Sequence, residues 1–393
     1  MSLIRPVLAL AAAVAVTLAC TGPAAAYESH LDVDYDRDGV TTPLNRLDLY
    51  APEGLGQEAK RPLVVYVHGG GWMRGDKRNR IADKARLFTD LGYIFASVNY
   101  RLSPDPPDTA DAARIRFPAQ PADLGEALGW LNRHGDEFGA NPRTILLIGH
   151  SAGAQIVSLV ATDPSYAWAA SVAPWQIVAA VSLDTDAFDI AEQATQEANP
   201  QNRALIWNAF ATPAENAVAP VYQRASALNA ADPKDPEMLL VTGTNPSRIA
   251  ANRAMASALG QGPGSVLSLP YTHEQMNTEL GSATDEAGET RAVAAFLAEA
   301  LAAARPPHVR FTHTPRKRVD PLNASVVRFR FAAKPRGSAG GFECRLGGQR
   351  WELCDSPAHV AGYFGRNVFR VRALSERGRP GPIKSYTFRV KRR

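Results

Sequence analysis

Residues 144–161 read TILLIGHSAGAQIVSLVA. The opening TILLI is a short apolar run of the kind found in strands buried on both faces, and Gln155 to Ala161 continues as a helix. Between them stands Gly149-His150-Ser151-Ala152-Gly153, a G-x-S-x-G sequence in a strand–turn–helix context. A sharp turn of this kind needs residues without bulk on either side of the serine. The hydroxyl is then held above the sheet edge, at a helix N-terminus that favours negative charge. Ser151 is therefore the candidate nucleophile.

Upstream, the strand-like run PLVVYV (Pro62 to Val67) leads into His68-Gly69-Gly70-Gly71-Trp72. Three glycines let a backbone approach a substrate closely and turn its N–H groups inward. Acyl transfer builds negative charge on a carbonyl oxygen, and each preorganised donor is worth roughly 3 kcal/mol. Gly70 and Gly71 are assigned as donors, with the N–H of Ala152 as the third. Around these motifs, apolar runs alternate with amphipathic stretches from about Asn45 to Arg305. Strands are expected at Tyr93 to Val98, Val178 to Leu183, Met238 to Thr242 and Val266 to Leu269. Helices are expected at Ile81 to Leu91, Ala122 to His134, after Gly243 through Leu259, and at Thr290 to Ala304. This alternation implies a parallel sheet covered on both faces. Residues 186–230, helical but weakly patterned, sit where such a sheet accepts a cap over a pocket.

A serine nucleophile needs a base and an acid, which in this strand–elbow arrangement follow in the order serine, acid, histidine. From Ala152 to Arg305 the only histidine is His273, just after the strand VLSL. The acid is harder to place. Its usual loop, after MLLVT, reads Gly243-Thr244-Asn245-Pro246-Ser247-Arg248 and holds no carboxylate. Ten carboxylates lie between Ser151 and His273, and among them Asp184 alone ends an expected core strand at its carboxyl edge. Asp184 is the assigned acid. The competing reading is a turn residue or helix cap at Asp184, with Asn245 or Ser247 substituting weakly.

The N-terminus carries Arg5, an apolar run from Val7 to Ala19, and Ala24-Ala25-Ala26. This is the layout of a secretory signal peptide at residues 1–26, and the run is short for a spanning helix. An uncleaved anchor, or lipoprotein processing at Cys20, are the weaker alternatives. A secreted location, extracellular or periplasmic, is expected, with no transmembrane segment in the mature chain. Cleavage would leave Cys344 and Cys354, and a cysteine pair in an exported chain reads as a disulfide. No histidine lies at zinc spacing with cysteine, and neither metal nor cofactor is expected.

The net charge of +4 conceals an asymmetry. Residues 306–393 hold 20 basic and 5 acidic residues, whereas residues 27–305 hold 22 and 34. A shift of this size marks a domain boundary. Beyond it, short alternating segments separated by Gly- and Pro-rich turns imply a small antiparallel β domain. The basic residues lack the aromatic interleaving of a nucleic-acid binder. An anionic polymer, a cell-envelope surface or the acidic domain itself suits this charge better.

The stretches LDLYAP, YVHGGGW, VNYRLSP, FPAQPADLGEALGWLNRHGDEFGANP, GHSAG and HEQMNTELG occur in this order. From about Leu47 to Leu301 the chain resembles an α/β-hydrolase esterase with an H-G-G-G-W oxyanion motif, of the hormone-sensitive-lipase-like and acetylxylan/feruloyl-esterase-like kinds. The resemblance implies an α/β-hydrolase sheet covered by helices at residues 27–305. It also implies Ser151, His273, Gly70, Gly71 and Ala152 in the roles above, but its usual acid loop is empty here. Residues 306–393 resemble the small immunoglobulin-like modules of exported bacterial proteins, a β-sandwich-like addition. The expected activity is serine-esterase hydrolysis of a small ester substrate through an acyl-enzyme. A non-catalytic binding protein on the same scaffold, and an amidase or peptidase of this fold, are the alternatives.

Overall fold

A computed structural model describes residues 27–36, 42–319, 326–335, 337 and 339–391. The expected signal peptide, residues 1–26, lies outside the described residues. Eight strands form the main sheet: β1 (Tyr27–Asp34), β2 (Arg46–Pro52), β3 (Arg61–Val67), β4 (Ile94–Val98), β5 (Ala140–His150), β6 (Ile177–Leu183), β7 (Glu237–Thr242) and β8 (Val266–Ser268). Their order across the sheet is β1-β2-β4-β3-β5-β6-β7-β8. The β1–β2 and β2–β4 pairs are antiparallel and the rest are parallel.

Strand alternation sorts the apolar side chains to two faces. In β3, Leu63, Val65 and Val67 enter one core while Val64 and Tyr66 enter the other. Helices α1 (Ala82–Asp90), α2 (Ala119–His134), α3 (Ala152–Thr162) and α4 (Pro164–Ala169) follow in chain order. Residues 186–230 fold into five short helices, α5 (Ile190–Gln196), α6 (Pro200–Ala209), α7 (Pro213–Val218), α8 (Tyr222–Ala225) and α9 (Ala227–Ala230). Then come α10 (Pro246–Ala258), α11 (Gln275–Thr278) and α12 (Glu289–Ala303). Leu124 of α2, Ile156 of α3 and Met255 of α10 cover the first face, and Phe88 of α1 and Leu297 of α12 the second. The short helices are tied down by Arg114, whose buried guanidinium pairs with Glu215 at 2.7 Å. Among the described residues, no helix is long and apolar enough to cross a membrane.

After Ala303 the chain builds two smaller sheets from β9 (His308–His313), β10 (Arg318–Val319), β11 (Val326–Lys334), β12 (Gly341–Leu346), β13 (Glu352–Leu353), β14 (Ala358–Ala361), β15 (Gly365–Leu374) and β16 (Lys384–Val390). One has the order β10-β16-β15-β12-β13 and the other β14-β11-β9. Phe329, Phe331, Phe369 and Phe388 fill the space between them. Pairing is antiparallel except for β10 with β16, which run parallel. That edge departs from the all-antiparallel expectation, because β10 returns from β9 to the far sheet without a hairpin. Cys344 and Cys354 form a disulfide. The β15–β16 hairpin docks onto the main sheet. Arg377 donates to the carbonyls of Ile177 and Val178 at 3.0 and 3.1 Å, and Arg379 to Thr144 Oγ1 at 2.6 Å. Ile177 and Val178 open β6, so this contact lies at the opposite edge of the sheet from Ser151.

Candidate active site

Ser151 stands between β5 and α3 with φ +54° and ψ −118°, a conformation uncommon for a residue with a side chain. The flanking glycines make the turn feasible. A Cβ on Gly149 would lie 2.2 Å from the carbonyl oxygen of Gly153, and one on Gly153 would lie 2.2 Å from that of Val67. The Ser151 N–H donates to the Leu183 carbonyl at 2.9 Å, which ties the elbow to the end of β6.

Directly after β6, Asp184 takes a left-handed turn at φ +52°, and its N–H donates to Val241 of β7. Its buried carboxylate is held from three sides. Oδ1 accepts from Thr242 Oγ1 at 3.1 Å and from the Gly243 N–H at 2.9 Å. Oδ2 accepts from Arg248 Nη1 at 2.8 Å and lies 2.7 Å from His273 Nδ1. Burial alone would raise this carboxyl's pKa. Hydrogen bonds from His273 and Gly243, with the charge of Arg248, outweigh burial and hold it well below the usual carboxylate range.

His273 lies on the loop between β8 and α11. Its Nε2 is 2.9 Å from Ser151 Oγ, so the serine hydroxyl can donate to it while Nδ1–H donates to Asp184. The loop is anchored by His150, whose Nε2–H donates to the His273 carbonyl at 2.8 Å. Burial and the nearby His273 ring push the His150 pKa down to about 3, so His150 is neutral in this role. Thus Ser151, His273 and Asp184 meet in one hydrogen-bonded line. Asn245 does not join it. Its side chain caps α10 through the N–H groups of Ser247 and Arg248.

The His68–Trp72 loop faces the serine. Gly70 has φ +117°, and a Cβ there would fall 2.0 Å from the Arg74 carbonyl oxygen, so only glycine fits. Among the described residues, the N–H groups of Gly70, Gly71 and Ala152 donate to no protein acceptor, and all three residues line the cavity in front of Ser151. The loop is fixed from behind. His68 stacks on Tyr100 with ring centroids 4.5 Å apart, and Trp72 Nε1 donates to Gln155 of α3 at 3.1 Å. Trp72 also meets Phe210 edge-on at 5.0 Å, coupling the loop to the helices of residues 186–230. The cavity measures about 500 Å³, and those helices contribute Gln193, Asn202, Leu205 and Ile206 to its wall. Among the described residues, no cluster of His, Cys, Asp or Glu could hold a metal ion.

Three residues went unrecognised in the sequence. His150 occupies the variable position of G-x-S-x-G, Gln155 reads as an ordinary helix residue, and Arg248 ends a stretch noted only for its missing acid. No local signal marks any of them, since each acts through a partner distant in the chain.

A family model, BD-FAE, matches residues 47–257, more than half of the chain. The probable carboxylic ester hydrolase LipM of Mycobacterium tuberculosis is 31% identical over 134 residues, covering 34% of this chain and 28% of LipM. The esterase LipQ of the same organism is 30% identical over 124 residues, covering 31% and 27%. The chain thus spans under a third of the length of these two relatives. A truncated carbohydrate esterase from gut microbiota superposes with a TM-score of 0.54 at 17% identity, covering 70% of this chain and 97% of that one. At that identity the likeness is one of fold.

Proposed function

The chain belongs to the BD-FAE family, and from that premise we propose that it is a serine hydrolase of carboxylic esters. The observation that carries this reading is the line from Ser151 Oγ to His273 Nε2 at 2.9 Å and from His273 Nδ1 to Asp184 Oδ2 at 2.7 Å. In this reading His273 takes the serine proton as Oγ attacks the ester carbonyl. The oxyanion is met by the N–H groups of Gly70, Gly71 and Ala152. His273 then protonates the departing alcohol, and water enters by the reverse path to release the acid. Asp184 holds the imidazole in the tautomer that can accept the proton and stabilises the imidazolium.

The proposed division is a hydrolase unit at residues 27–305, with a cap over the cavity at about 186–230, and an immunoglobulin-like β domain at 306–393. Export is proposed from the N-terminal signal-like segment, and the Cys344–Cys354 disulfide suits an oxidising compartment. The excess of basic residues in the β domain supports an anionic polymer or envelope surface as its partner. The test is turnover of p-nitrophenyl acetate, with an alkyl phosphonate label located by mass spectrometry. Expected are turnover, one label per chain on Ser151, and loss of both on Ser151→Ala, with turnover falling by roughly 10⁴-fold. A protein that neither turns over the ester nor takes the label would refute the assignment.

A further inference from the structure

The outer face of the five-stranded sheet carries arginines in cross-strand register. In β15, Asn367, Phe369, Val371 and Ala373 are buried, so Arg366, Arg370 and Arg372 point outward. In β16, Phe388 and Val390 are buried and Arg389 is exposed. Arg318 stands beside Arg389, which stands beside Arg366, a row of three guanidinium groups across β10, β16 and β15. A second pair, Arg370 and Arg345, lies directly opposite across β15 and β12.

Like charges placed opposite one another destabilise a sheet. Here they have little internal relief. Among the described residues, the one ion pair on this face joins Arg372 to Glu343 at 2.6 Å. Among the described residues, Arg318, Arg366 and Arg389 also have no acidic partner. The arrangement is also stiffened. The guanidinium groups of Arg345 and Arg372 lie 4.6 and 4.3 Å from the Trp351 ring, and Arg370 donates to the Gly347 carbonyl at 2.8 Å. At the end of the sheet that bears the row of three, Tyr363 and Phe364 are 63% and 65% exposed.

We propose that this face binds a linear polysaccharide bearing closely spaced carboxylates. The inference rests on the reading of the β domain as the part that engages an anionic partner, and it assigns the face and the ligand chemistry. Outward positions recur every ~7 Å along a strand and strands lie ~4.8 Å apart, so the guanidinium groups form a grid on the scale of successive sugar units. Arginine forks match carboxylates two bonds at a time. The exposed rings of Tyr363 and Phe364 offer flat apolar surface to the C–H faces of sugars, which a lipid headgroup does not present. The hairpin contacts to Ile177 and Thr144 place the β domain behind the main sheet, so a chain held there leaves the Ser151 cavity open.

The full-length protein should be retarded in gels containing polygalacturonate and not in gels containing a neutral glucan, with retardation weakening as salt rises. The triple substitution Arg318→Ser, Arg366→Ser, Arg389→Ser should lower affinity by at least tenfold. Replacing Arg310, Arg328 and Arg330 with Ser, on the exposed strand positions of the other sheet, removes the same charge and should change affinity less than twofold. Turnover of p-nitrophenyl acetate should be unchanged in both variants, which keeps a failure of the esterase reading separate, and thermal unfolding followed by circular dichroism verifies that the β domain of each variant is folded. The proposal is overturned if wild-type protein is not retarded, if both triple variants weaken equally, or if duplex DNA or anionic vesicles bind more tightly than polygalacturonate.

Discussion

Replacing Asp184 with Asn tests whether the acid on β6 completes the site. The two sides of this carboxylate make different demands, and Asn can meet only one of them. With its oxygen turned toward the Thr242 hydroxyl and the Gly243 N–H, its NH₂ faces His273 Nδ1 and Arg248. The imidazole must then accept at Nδ1 and carry its proton on Nε2, where it can no longer take the Ser151 proton. With the amide reversed, the tautomer is kept but two donors meet at the 2.9 Å contact with the Gly243 N–H. The first orientation costs less, because Arg248 keeps the Asp184 backbone carbonyl at 2.8 Å and Asp186 at 3.4 Å. Asp184→Asn should therefore lower kcat/KM by about 10³–10⁴-fold, or about 4–5 kcal/mol of transition-state stabilisation. Ser247→Ala, next to the α10 cap, should change it less than about twofold. The assay is steady-state hydrolysis of p-nitrophenyl acetate, with circular dichroism to verify the fold. An Asn variant that folds and keeps more than a tenth of wild-type activity would refute the assignment of Asp184.

Three further outcomes are expected. Burial raises the Glu289 carboxyl pKa to about 9, against a partial counter-effect from Lys84 and reinforcement from Asp285, so the folded state retains a proton that the unfolded chain loses. Stability should fall as pH rises from about 4.5 toward 9, and Glu289→Gln should raise the melting temperature more at pH 9 than at pH 5. Equal shifts at both would refute this. Removing the disulfide by Cys344→Ala with Cys354→Ala should lower the β domain's stability by about 2.5 kcal/mol, measured by chemical denaturation. No loss would show that the closed loop adds nothing. Truncation after Arg305 should leave kcat/KM for a small ester within about twofold, because the domain docks at the sheet edge away from Ser151. A folded but inactive truncate would show that the domain shapes the cavity.

How much of this was legible follows from how local each signal is. The Ser151 turn could be read because its constraints are short-range: a buried strand, two residues without side-chain bulk and a helix within 18 positions. The three glycines after β3 could be read for the same reason, since φ +117° at Gly70 excludes other residues. His273 could be read because no other histidine lies between Ala152 and Arg305. Other features depend on contacts between distant residues. Arg248 reaches Asp184 across 64 positions, and His150 reaches the His273 carbonyl across 123. Strand β1 was not foreseen, because most of its residues are exposed and its alternation is weak. The parallel edge strand β10 is two residues long, too short to show any period.

The position of Asp184 shows why one loop's contents were a poor guide to where a carboxylate would meet His273. The loop after β7 has no carboxylate, yet it still helps hold Asp184: the Thr242 hydroxyl at the end of β7 and the Gly243 N–H at the start of the loop both donate to its carboxylate. Strands β6 and β7 are neighbours in register, with Leu183 beside Val241. A side chain leaving the end of β6 therefore occupies nearly the same space as one leaving β7. What His273 requires is an anion at its Nδ1, held by donors on the far side, and either strand can supply it. With the carboxylate on β6, the β7 loop is available to begin α10, and α10 brings Arg248 against that carboxylate. An unpaired cation so near the imidazole would oppose its protonation. Arg248 is not unpaired, because Asp184 and Asp186 both face it, and the anion that His273 needs is the one that neutralises Arg248. Loss of Asp184 would therefore leave the imidazole without its anion and beside a poorly compensated cation, and both effects act against the imidazolium.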